Sequence, residues 1–95
     1  MSQISILLMM IVDTVAQVAA KGQWTPYFNI LSTSADLYFR PASWLRSKAD
    51  ITAPLAERHE ARITTCEYID EQEQLEKLQA MLAFARRHLD NAPEA

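Results

Sequence analysis

From Ser2 to Lys21 the chain has neither proline nor glycine, and the first break is Gly22, the only glycine in the protein. Within that stretch Ile4, Leu7, Leu8, Ile11, Val15 and Val18 recur at helical spacing, which predicts a helix over about residues 2–21. Ile6, Met9, Met10 and Val12 add a second apolar set, so the first three turns are apolar nearly all round. A helix of that kind has to be buried on two sides. Lys21 suits the negative end of the helix dipole, and Gly22 is placed to take the left-handed conformation that closes a helix.

Beyond the stop the periodicity changes. "YFNIL" at 27–31 and "ADLYF" with Arg40 at 36–40 are short, aromatic and β-branched, and Ser32, Thr33 and Ser34 between them are turn formers. An antiparallel hairpin follows. Phe28 and Ile30 share one face of the first strand, and Leu37 and Phe39 share one face of the second. Tyr27 and Asn29, and Asp36, Tyr38 and Arg40, fall on the opposite sides. No Asn-Gly or Asp-Gly marks the tip, so its loop is expected to run to three to five residues.

Residues 41–60 contain two prolines and read as a long ordered loop, with a helical turn around Trp44. "RITTCEYI" predicts a third strand over about 61–69, with its inward face left open by the alternation. Asp70 and Glu73 resemble a capping box at the start of a second helix, about 71–90. Leu75, Leu78, Leu82, Ala85 and Leu89 step by three and four along it, and Arg86, Arg87 and His88 occupy its last turn. The expected fold is therefore α+β in the order α-β-β-β-α: one domain over 1–95, with a three-stranded antiparallel meander and both helices on one face.

Composition narrows the chemistry. The single cysteine, Cys66, allows no intramolecular disulfide and no cysteine-based zinc site, as is usual in a reducing cytosol. His59 and His88 lack a partner at metal-ligand spacing and read as surface residues. Cys66 reads as a packing residue within a strand. One glycine cannot build a phosphate-binding loop, so no nucleotide is expected, nor any metal or other cofactor, and an enzyme is not expected. The apolar run "ISILLMMIV" has no basic residue before it and Asp13 directly after it, which argues against a signal peptide or a membrane span and for a cytoplasmic protein.

The net charge of −3 is unevenly distributed, with a basic middle and an acidic C-terminal third. "FRPASWLRSK" at 39–48 interleaves rings with positive charge, a mixture used both at protein-protein hot spots and by single-strand nucleic-acid binders. The candidate binding residues are Tyr27, Tyr38, Arg40, Trp44, Arg46 and Lys48. A protein partner is the first expectation, because the overall charge is negative. A nucleic-acid-associated accessory role using segment 39–48 is the alternative. Helix one displays more apolar surface than one small sheet and one helix can cover, so a homodimer is expected through Ile6, Met10 and Val12.

"AAKGQWTPYFNILSTSADLYF" and "ITTCEYIDEQEQLEKLQAML" resemble small accessory proteins of phages and other mobile elements that share a helix-strand-strand-strand-helix layout. The resemblance implies a protein-interaction module, in some members an inhibitor that binds a host or competitor protein, and it carries over no functional residue.

Overall fold

The computed structural model describes residues 3–42, 57–63 and 70–91. Helix α1 spans Gln3–Lys21, strands β1, β2 and β3 span Trp24–Ile30, Ser34–Pro41 and Arg58–Arg62, and helix α2 spans Glu71–Asp90. The strands form an antiparallel sheet in the order β1-β2-β3, and the two helices lie side by side on one of its faces. The α+β layout is the expected one.

Parity along the strands explains the sheet's two faces. Ala35, Leu37 and Phe39 of β2 and Ala61 of β3 are buried beneath Leu75, Leu78, Met81, Leu82, Phe84 and Ala85 of α2 and Ile4, Ile11 and Val18 of α1. Ile4, Ile11 and Val18 are seven residues apart, so they form one row facing the core. Phe28 and Trp24 pack against the same cluster from β1.

Proline dictates where β1 can sit. The Leu31 N–H donates to the Ser34 carbonyl, and the Ala42 N–H to the Gln23 carbonyl, so odd-numbered residues of β1 turn their backbone groups toward β2. Pro26 is even-numbered and its missing N–H falls on the outer edge, the one place in a sheet where nothing is lost. The hairpin loop is residues 31–33, without a non-glycine residue at positive φ, which agrees with the longer loop expected from its composition.

The third strand begins three residues before the expected one. Pairing runs over Arg58–Arg62 and overlaps the expected 61–69 only at Ala61 and Arg62. Residues 64–69 lie outside the described residues. "RHEAR" has weak strand propensity, but the register sets Ala61 opposite Ala35, a small pair over which α2 packs, and Arg58 opposite Tyr38, near Asp36. Tertiary pairing decided this strand.

Both helix ends follow local chemistry. Asp70 caps α2 by accepting from the Gln72 N–H at 3.0 Å, with Glu71 and Glu73 in the first turn and Arg87 and His88 in the last. Gly22 takes φ +72° and donates its N–H to Ala19 O at 3.1 Å, closing α1 in the left-handed region.

Candidate functional site

The face of the sheet turned away from both helices carries Thr25, Tyr27 and Asn29 of β1, Asp36, Tyr38 and Arg40 of β2, and Arg58, Glu60 and Arg62 of β3. Tyr27 and Tyr38 are direct cross-strand partners, and their rings stack with centroids 4.8 Å apart and planes 10° from parallel. Arg40 pairs with Thr25, one step along the same face from Tyr27. All three predicted residues, Tyr27, Tyr38 and Arg40, are half-buried and adjacent. Trp44, Arg46 and Lys48 lie outside the described residues.

The charges on this face are largely spoken for. Asp36 and Glu60 sit directly opposite each other, a like-charge pair that alone would push the strands apart. Arg58 relieves it. Its Nε and a terminal nitrogen donate to the two Asp36 carboxylate oxygens at 2.6 and 3.0 Å, and the same terminal nitrogen lies 3.4 Å from Glu60. The guanidinium also lies 5.9 Å from the Tyr38 ring centroid. Bidentate geometry around an Asp36 side chain that is only 9% exposed makes this an ordered structural clamp.

A second surface is apolar. Ile6, Met9, Met10 and Val12 of α1, with Ile30 and Leu31 at the end of β1, are large hydrophobic residues left exposed. Leu8, Met9, Val12, Asp13, Ala16 and Ile30 line an open groove of about 570 Å³ where α1 passes the end of β1. Ile6, Met10 and Val12 are all exposed, but at about 100° per residue Met10 and Val12 fall on opposite flanks of the helix and cannot form one patch. Val12 instead belongs with Met9 and Ile30, which the one-letter periodicity of the helix could not reveal because Ile30 comes from a strand. Length and composition alone would also let α1 cross a membrane.

No family model, curated protein or solved structure matches this chain. Its site therefore has to be read from its own geometry.

The histidines differ from their expected surface positions. His88 is half-buried, stacked on Phe39 with centroids 4.1 Å apart, with Trp24 and Phe84 edge-on at 4.6 and 4.7 Å. Its Nδ1 lies 2.9 Å from Phe84 O, which assigns the proton to that nitrogen, and burial holds the imidazole below its usual pKa. His59 packs against Phe84 at 4.5 Å and contacts the Glu57 carboxylate through Nε2 at 2.6 Å. Arg87 donates to the same Glu57 oxygen at 2.6 Å. The hydrogen bond to His59, followed by the contact with Arg87, holds Glu57 below the ordinary carboxylate range. Glu57, shared by His59 and Arg87, ties the start of β3 to α2, as in a packing joint. Among the described residues no group of three His, Cys, Asp or Glu side chains could hold a metal ion.

Proposed function

We propose that the chain is a small non-enzymatic protein-interaction module, of the accessory or inhibitor type, that engages a partner protein across the sheet face turned away from both helices. The observation that carries this reading is the stacked Tyr27–Tyr38 pair, raised on the face opposite both helices with Arg40 beside it. Stacked rings are rigid and large, so they can bury apolar surface at low entropic cost, while phenol and guanidinium groups provide direction. The complementary partner surface presents apolar side chains edged by carboxylates or backbone carbonyls.

A nucleic-acid role receives less support from the same face. Arg58 is committed to Asp36 and Glu60, and a phosphate would have to displace both contacts. Stacking within the tyrosine pair also occupies one face of each ring, leaving less platform for bases.

The test is affinity capture and titration of the captured protein with wild type, Tyr27→Ser and Arg40→Ala. Binding should fall about tenfold or more with Tyr27→Ser, and less with Arg40→Ala, while the far-UV circular dichroism of both variants stays unchanged. Tight oligonucleotide binding that drops steeply with added salt would replace this reading with the nucleic-acid one.

A further inference from the structure

Helix α1 carries two rows of apolar or small residues at coiled-coil spacing. The row used inside the molecule is Ile4, Leu8, Ile11, Val15 and Val18, stepping by four, three, four and three, each buried or half-buried. One position further on lie Ser5, Met9, Val12, Ala16 and Ala19, stepping by four, three, four and three, and every one of them is exposed. A helix that serves only its own core typically turns charged and polar residues to the opposite face, whereas this row carries no charge and exposes Met9 and Val12.

We propose that this second row is the seam of a homodimer, in which α1 packs antiparallel against α1 of a second copy about a two-fold axis passing near Val12. The size pattern selects that direction. With Val12 meeting Val12 at the axis, Met9 of one copy meets Ala16 of the other and Ser5 meets Ala19, so the largest residue of the row faces a small one. A parallel pair would set Met9 on Met9 and Ala16 on Ala16, crowding one layer and emptying another. Ile30 closes the groove beside Met9 and Val12 and extends the seam onto the sheet.

Charge and area agree with a second copy as the occupant. The five residues of the row are uncharged in a chain of net charge −3, and Asp13 is the one charged residue lining the groove, so two copies can meet here with a single like-charge contact. A helix of 19 residues is about 28 Å long, and half of its circumference offers roughly 500 Å² per copy. The total of about 1,000 Å² reaches the lower bound for a specific interface and corresponds to a weak dimer. Joining through the β1 edge is disfavoured by Pro26, which offers no N–H there.

Asp13 supplies an internal check. It lies on the rim of the groove, next to the axis, where a perpendicular two-fold brings the two carboxylates to the same side. Their repulsion weakens the dimer and should vanish in Asp13→Asn.

Sedimentation equilibrium of the full chain from low micromolar to submillimolar concentration tests the proposal. A monomer-dimer equilibrium is expected, weakened about tenfold or more by Ala16→Glu, tightened by Asp13→Asn and unmoved by Glu76→Gln on α2. Ala16→Glu is an exposed change between two good helix formers, so the monomer should keep its melting temperature. A single-chain mass throughout the range overturns the proposal, as does association indifferent to Ala16→Glu. Co-flotation with zwitterionic phosphatidylcholine vesicles that is abolished by Ala16→Glu, without a dimer in solution, would overturn it in favour of a lipid surface. Loss of partner binding in Tyr27→Ser bears only on the sheet face, so the two proposals fail separately.

Discussion

The Trp24 indole N–H donates to the backbone carbonyl of Asn91 at 2.7 Å, joining the start of β1 to the residue that ends α2. Lys21 Nζ makes a matching contact with Leu89 O at 2.6 Å. The last carbonyls of a helix lack partners within it, and here the α1–β1 corner supplies two. Trp24→Phe retains much of the ring and removes the donor, so it should cost about 1 kcal/mol in urea titration. A change of zero would mean that water serves Asn91 equally well.

Gly22 isolates a backbone effect. A Cβ built on it meets nothing within 4 Å, so Gly22→Ala has no steric conflict and only the left-handed φ of +72° to bear. A loss of about 1–2 kcal/mol is expected, with the urea m-value unchanged. Stabilisation on substitution would show that the corner had moved to negative φ.

The two sides of α2 should respond differently. Leu78 is wholly buried, and Leu78→Ala should destabilise by about 2–5 kcal/mol. Glu76→Ala and Lys77→Ala remove exposed groups, Lys77 having only a 3.6 Å contact with Glu73, and should be nearly silent. Comparable shifts in denaturation midpoint at Glu76 and Leu78 would contradict the packing of this helix.

Arg58 and Asp36 should be strongly non-additive. Arg58→Gln leaves a poorly exposed Asp36 carboxylate opposite Glu60, so its effect on melting temperature should exceed that of an average surface substitution. Adding Asp36→Asn removes the stranded charge, and the double variant should be more stable than Arg58→Gln alone. Strict additivity in that cycle would mean that the two side chains do not act as a unit.

Acid should weaken the fold in two stages. His88 is held below its usual pKa, so the folded chain binds its proton less readily than the unfolded chain; stability is complete at pH 7 and is lost as pH falls from about 6.5 through the folded value. Arg87 disfavours the charged ring and Glu57 favours it, with burial the largest cause. Glu57 is lowered, so its contribution is present above about 4.5 and is lost as pH falls through its folded value. Melting temperatures at pH 7, 5.5 and 4 should show both steps, and His88→Gln should flatten the first alone. A variant with the same profile as wild type would assign the first step to another group.

How much of this was legible in the sequence differs from element to element. The apolar run closed by Gly22, the Asp70 cap and the leucine row of α2 are local signals acting over one or two turns, and each marks an element where it occurs. The alternation of Leu37 and Phe39 with Asp36, Tyr38 and Arg40 assigned both faces of β2, because side chains on a strand have no third choice. That is why Tyr27, Tyr38 and Arg40 could be grouped as neighbours from spacing alone.

Contacts between distant segments were not legible. Strand β3 forms on weak-propensity residues because the register opposite β2 sets Ala61 against Ala35 and Arg58 beside Asp36. His88 is enclosed by Trp24, Phe39 and Phe84 from three elements, though its own neighbours in sequence read as a solvated helix end. Ile30 joins Met9 and Val12 across a helix-strand boundary, a contact between segments that the periodicity of the helix does not carry. Periodicity determined which residues share a face of one element. Which faces meet was decided by the packing of α1 and α2 over a three-stranded sheet, where the burial gained between elements outweighs the weak preferences within them.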